Sequence, residues 1–95
     1  MAGLWVDSTG TAAIIVGSAK HEKWSCHTGS QGYLLEPKLF DPENGVASGK
    51  VYCDAGGHAV GEFRMGPNAA DPNRLDLTLV FSATIAKTYT LGRAN

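Results

Sequence analysis

The sequence predicts an all-β domain of about eight antiparallel strands, arranged as a meander and closed into a small barrel, with a two-sheet β-sandwich as the alternative. Three observations predict it. The 12 glycines and 4 prolines cluster, and the clusters cut the 95-residue chain into short stretches rich in Val, Ile, Thr, Tyr, Phe and Trp. Within those stretches apolar residues recur at every second position, the period of a strand with one buried face. Apolar positions never repeat at helical spacing over more than a few residues, apart from a single turn expected at 68–72. Consecutive strands joined by tight turns pair with their neighbours, and closing the sheet removes the edges that invite other chains. The sandwich is favoured instead if the longer connections at 36–45 and 66–73 cross between sheets.

The first strand is assigned to Gly3–Asp7, before the turn Ser8-Thr9-Gly10. The second, 11–16, contains the unbroken apolar run Ala12 to Val16 and stops at Gly17-Ser18-Ala19-Lys20. In the third, 22–28, alternation places Trp24 and Cys26 on one side and Lys23, Ser25 and His27 on the other, the side that His21 also faces. Gly29-Ser30-Gln31-Gly32 turns the chain into a short fourth strand, 32–35, followed by the long connection 36–45. The fifth, Val46–Cys53, sets Val51 and Cys53 against Lys50, Tyr52 and Asp54. Asp54-Ala55-Gly56-Gly57 reads as a hairpin turn needing positive φ. In the sixth strand, 58–65, Ala59, Gly61, Phe63 and Met65 oppose His58, Val60, Glu62 and Arg64. The seventh, 74–84, has the clearest alternation, with Leu75, Leu77, Leu79 and Phe81 on the core face. The eighth is 87–93.

Residues 1–95 make one small domain, 43% hydrophobic and 18% charged. Eight Lys and Arg against nine Asp and Glu, net −1 with no block of like sign, disfavour a nucleic acid or an anionic membrane as partner. No apolar run approaches the roughly 18–20 residues of a membrane helix, so no membrane span is expected. Met1 to Trp5 lacks the features of a signal peptide. The chain is expected either to stay in the cytosol or, if Cys26 and Cys53 are bonded, to be a secreted or periplasmic domain whose leader was removed.

Gly3-Leu4-Trp5 opens the first strand, and Thr88-Tyr89-Thr90-Leu91-Gly92-Arg93 closes the last. The pair resembles the signature of calycins, the group that includes lipocalins, avidins and some small bacterial protease inhibitors. The resemblance implies a closed barrel in which Trp5 plugs one end and Arg93 stacks on its ring, a cation–π contact of roughly 0.5–2 kcal/mol. The first hairpin, through Gly3, Trp5, Asp7, Gly10, Thr11 and Ile15, is similar to the avidin pattern G-x-W-x-N-x-x-G-S. Where avidins hold an Asn and a Ser against the ureido oxygen of biotin, this chain has Asp7 and Thr11. An ionised carboxylate cannot donate to that oxygen, so biotin binding is not expected. The chain is short for these families, which implies a small cavity or none.

Cys26 and Cys53 admit three readings: a disulfide, favoured because closing that loop would stabilise a small domain by roughly 3–4 kcal/mol; two buried thiols; or a metal site with His27 or His58. The metal reading lacks the C-x₂₋₄-C spacing of zinc sites, and Cys26 and His27 point to opposite faces of a regular strand. Ser25, His27 and Asp54 assemble a nucleophilic triad on paper, without the elbow motif that would present the serine. Asp41-Pro42-Glu43-Asn44-Gly45 lacks the full calcium-loop spacing and reads as a turn. No catalytic residue, metal ligand or cofactor is assigned.

What remains is a mixed-charge sheet face. Tyr52, Asp54, His58, Glu62 and Arg64, with His27 on a nearby strand, are the residues expected to bind, while Trp5, Arg93, Cys26 and Cys53 are structural. The function expected is non-enzymatic: engagement of a protein partner, as an inhibitor or immunity-type protein does, or of a small polar ligand at the barrel mouth. The alternative is a structural assembly unit, a phage or surface component acting by symmetric oligomerisation.

Overall fold

The computed structural model describes residues 1–18, 22–54 and 57–94. His21, and Ala55 and Gly56 of the expected hairpin turn, lie outside the described residues. Eight strands follow in chain order: β1 (Gly3–Asp7), β2 (Ala12–Val16), β3 (Trp24–Thr28), β4 (Gln31–Asp41), β5 (Val46–Cys53), β6 (Ala59–Pro67), β7 (Leu75–Val80) and β8 (Ala86–Arg93). Each pairs with the next, and β8 pairs antiparallel with β1 through Trp5↔Arg93, Val6↔Gly92 and Asp7↔Leu91. The sheet is therefore a closed meander barrel, and the sandwich is ruled out.

Alternation builds the core. Ile14 and Val16 on β2, Trp24 and Cys26 on β3, Leu35 on β4, Val51 on β5, Phe63 and Met65 on β6, and Leu75, Leu77 and Leu79 on β7 are all buried. Trp24 meets Phe40 edge-on at 5.1 Å between ring centroids and Phe63 at 6.1 Å, so aromatic rings fill the middle of the barrel. Burying each such side chain is worth roughly 1.5–3 kcal/mol.

The segment 36–45, expected as a connection, is mostly strand. β4 runs on to Asp41, and the alternation is broken by a bulge where the register passes from Pro37↔Gly49 to Leu39↔Ser48. Lys38 is the extra residue, so Leu35 and Pro37 face inward, Leu39 turns out and Phe40 turns back in. A proline suits this irregular stretch because it has no N–H for the ladder. Gly49 makes the bulge feasible, since a Cβ there would collide with the Glu36 carbonyl oxygen.

A second bulge lies where Val51↔Gly61 gives way to Tyr52↔Ala59, leaving Val60 unpaired. Ala59, expected on the core face, is therefore exposed. β7 stops at Val80, short of the expected 84, because Phe81 and Ser82 bond to Ile85 in the turn. Phe81 is half-buried and stacks on Tyr33 at 5.6 Å. β2 and β3 begin at Ala12 and Trp24, later than expected. The single helical turn expected at 68–72 is instead a side-chain-locked turn: Asn68 Oδ1 accepts from the amides of Ala70 and Asp71.

Cys26 and Cys53 are unbonded, which corrects the favoured disulfide. Both pair with Tyr33, one from β3 and one from β5. Strand β4 thus lies between them, two interstrand spacings or roughly 10 Å across. A disulfide requires Cα atoms within about 7 Å.

The meander sets which loops share an end. The turn after β1 shares one end with the turns after β3, β5 and β7. At the other end the two termini meet the segment after β2, the 42–45 turn and the 68–74 loop.

Candidate functional site

Among the described residues, polar groups and concave surface combine at three places considered in turn. The side wall formed by β4, β5 and β6 carries the charged stripe. Lys50 lies 3.6 Å from Glu62, its cross-strand partner. Glu36 accepts from the Tyr52 hydroxyl at 3.2 Å and from Lys38 at 3.0 Å, while Lys23 sits 4.5 Å over the Tyr52 ring. The Lys38 hydrogen bond holds the Glu36 carboxyl below its ordinary pKa and raises that of Lys38. Tyr52 and Glu62 are thus engaged by their own neighbours, as on a solvated antiparallel face. Arg64 stands beside Ser48 and Thr78 with no ion pair among the described residues.

His27 and Asp54 belong to a different feature. They line a groove of about 260 Å³ on the outer wall of β1 to β4, together with Leu4, Ala13, Ile15, Ser25 and Leu34. Gly32 is the cross-strand partner of His27, and the Asp54 carboxylate occupies the space a side chain at residue 32 would need. The three residues of the paper triad therefore line one groove. No hydrogen bond or ion pair joins Ser25, His27 and Asp54. His58 is separate again, exposed in the segment before β6. The six residues expected as one binding face are thus distributed over a stripe, a groove and a turn.

The third place is the barrel end where the termini meet. A cleft of about 430 Å³ opens there, floored by Trp5, Leu75 and Arg93 and walled by Pro42, Glu43, Asn44, Gly45, Pro67, Pro72 and Asn73, with Met1 at its side. The Arg93 guanidinium lies 4.6 Å over the Trp5 ring and donates to the Ala2 carbonyl at 2.8 Å, and the Trp5 indole N–H donates to the Met1 carbonyl at 2.8 Å. Trp5 is buried and Arg93 exposed, so the cation closes over the ring while presenting its outer edge to the cleft.

The cleft walls are held by their own side chains. The Asp41 carboxylate accepts from the Asn44 side chain at 2.7 Å and its amide at 3.3 Å, which lowers the carboxyl pKa. Across the cleft, Asn68 donates to Asp76 at 2.9 Å, and Arg74 and Asp71 are 3.4 Å apart. At the opposite end the Asp7 carboxylate is likewise occupied, accepting from the Ala12 amide at 3.1 Å and the Thr9 hydroxyl at 3.0 Å. Partial desolvation of Asp7 is outweighed by these hydrogen bonds, and its pKa is lowered. This carboxylate locks the first hairpin and has no free role of the kind an Asn plays in avidins.

The cleft is the feature that sequence reasoning missed. Trp5 and Arg93 are legible as a pair, but the 42–45 and 66–73 segments read only as a turn and a loop. Strand parity is the available signal, because in an eight-stranded meander those two segments and both termini share an end. No family model, no curated protein and no solved structure matches the chain.

Proposed function

We propose that the protein is a non-enzymatic binding barrel that engages its ligand through the cleft over Trp5 and Arg93. The observation that carries this is the contrast between that cleft and the rest of the molecule. The barrel interior is filled by Trp24, Phe63, Leu35, Leu77 and Leu79, which leaves the deep core to packing. On the β4 to β6 wall Lys38 and Lys50 are paired with Glu36 and Glu62, and Arg64, without an ion pair among the described residues, has no ring contact of the kind Arg93 makes with Trp5. The cleft instead joins an aromatic floor, a cation with no carboxylate partner among the described residues, two Asn amides and three prolines that stiffen its walls. Rigid apolar walls with a few convergent polar groups are the usual make-up of a ligand site.

Arg93 and the Asn side chains favour a small polar ligand, or a chain segment of a protein partner, that presents carboxylate or carbonyl oxygens. The stacking of Arg93 on Trp5 supports kinship with calycins, in which this pair has the same arrangement. The test is a two-dimensional NMR titration with a panel of carboxylates, sugars and proline-containing tripeptides at millimolar concentration. Shifts are expected at the Trp5 indole, Asn44, Asn73 and Arg93. Shifts confined to the side walls, or none at the cleft, overturn the proposal.

A further inference from the structure

The end cleft is lined by two charged side chains, and they carry opposite signs. Arg93 ends β8 over Trp5 of β1, and Glu43 stands in the turn between β4 and β5. In a closed barrel of eight strands in chain order, the β4–β5 turn lies diametrically across the mouth from the seam of β8 and β1. The two charges therefore occupy opposite rims of one cleft, and they form no ion pair with each other. Gly45, at a φ of 68° that favours glycine, bends the turn inward over Leu75 and Pro67, which keeps it above the mouth. The carboxylates around Glu43 are engaged: Asp41 by Asn44, Asp71 by Arg74, and Asp76 by Asn68 and Thr90. Glu43 itself has no hydrogen bond or ion pair to its side chain among the described residues. Between the rims lies Asn73, whose backbone amide donates to Asp71 while its side-chain amide is likewise without a partner among the described residues.

We propose that the cleft binds a short peptide with both termini free, its carboxylate on Arg93 and its ammonium on Glu43. This rests on the cleft being the ligand site and adds the chemistry of the ligand. A guanidinium is a fork of donors matched to a carboxylate. One nitrogen of Arg93 is engaged by the Ala2 carbonyl, which leaves its other N–H groups for the ligand. An ammonium is a donor only, and Glu43 is the fully charged acceptor that the cleft offers it. The Asn73 carboxamide holds an acceptor and donors side by side, the complement of a peptide N–H and C=O. A single amino acid carries both charges on one carbon, too close together for opposite rims. An extended peptide adds roughly 3.3–3.6 Å per residue and reaches both. A cleft of about 430 Å³ lies toward the small end of ligand pockets, which suits a few residues. Each terminal charge then meets its opposite, so neither is stranded on binding.

Two-dimensional NMR titrations with the tripeptide Ala-Leu-Ala, its N-acetylated form and its C-amidated form test it, beside simple carboxylates. The free peptide is expected to shift the Trp5 indole and the Asn73 side-chain amide. Either cap is expected to weaken binding roughly two- to fivefold, the worth of one exposed ion pair. Glu43→Gln is expected to weaken the free peptide by the same factor and to leave the N-acetylated peptide unchanged, because that ligand has already lost its ammonium. Glu43 is exposed in a turn, so the variant keeps the fold, and Glu62→Gln on the side wall is expected to change neither affinity. Three results overturn the inference: a capped peptide that binds as tightly as the free one, a Glu43→Gln variant that binds the free peptide as the wild type does, or a free peptide that leaves the cleft unshifted. In each case simple carboxylates that still shift the cleft leave it standing as the ligand site. No shift at the cleft with any peptide or carboxylate overturns both.

Discussion

The Cys26 thiol offers a direct test of the barrel interior. Burial, with 4% of the residue exposed, pushes its pKa from 9.0 up to about 12. The unfolded chain ionises at the ordinary value, so the folded state binds the proton more tightly. Cys26 therefore contributes its full stabilisation below pH 9.0, and that contribution is lost as pH rises from there through about 12. The whole span corresponds to about 4 kcal/mol at ~1.4 kcal/mol per tenfold. At about pH 10.5 the unfolded thiol is largely ionised and the folded one is not, and about 2 kcal/mol has been lost. In Cys26→Ala this titration is absent. Urea denaturation followed by tryptophan fluorescence at about pH 8 and about pH 10.5 reads the difference. The wild type is expected to lose about 2 kcal/mol more than the variant over that interval. Tyr33, whose phenol pKa is raised chiefly by burial, is present in both proteins and cancels except for its coupling to Cys26, the smallest cause of that shift. Parallel losses in the two proteins would refute the reasoning, because Cys26 would then titrate alike folded and unfolded.

Further outcomes follow from the same geometry. Ellman titration of native, unreduced protein is expected to modify half-buried Cys53 and spare buried Cys26 until the chain unfolds, after which both react; one reactive thiol or none in the denatured protein would contradict the separation imposed by β4. Gly49→Ala places a Cβ against the Glu36 carbonyl and is expected to cost about 1–3 kcal/mol in a denaturant melt; a neutral result would mean that β4 relaxes freely at its bulge opposite β5. Arg93→Ala removes the guanidinium from the Trp5 ring and is expected to cost roughly 0.5–1 kcal/mol and change the tryptophan emission, with Arg93→Lys retaining part of the effect. Asp7, whose pKa is lowered, stabilises the fold above its ordinary 3.8 and loses that contribution as pH falls through its folded value, so Asp7→Asn is expected to flatten the acid limb of a stability profile.

The eight-strand barrel is legible in the sequence because its physical signals are local. Strand alternation in 75–81 and 22–28 suffices to put Leu75, Leu77, Leu79, Trp24 and Cys26 inside, and all of them are buried. Trp5 and Arg93, 88 positions apart, are legible as a pair only through the calycin resemblance, and the register Trp5↔Arg93 places them as neighbours. The two bulges are not legible. A bulge depends on how far one strand must coil to stay with its partner, and Pro37 reads equally well as the start of a loop. The same shortfall misplaces Ala59, since one extra residue reverses the facing of the side chains on one side of the bulge relative to the other.

By itself the sequence determined which residues can be strand and which face of each strand is apolar, because alternation and turn chemistry act over a few residues. Only the tertiary structure decided what those faces meet. It set β4 between Cys26 and Cys53 and thereby excluded the bond that the loop-closure arithmetic favoured. It gathered the 42–45 and 68–74 segments over Trp5 and Arg93, and it left the second apolar face of β1 and β2 in solvent. Each of these outcomes depends on register and closure around the whole barrel, and no local stretch of sequence encodes the distance between strands that are not neighbours.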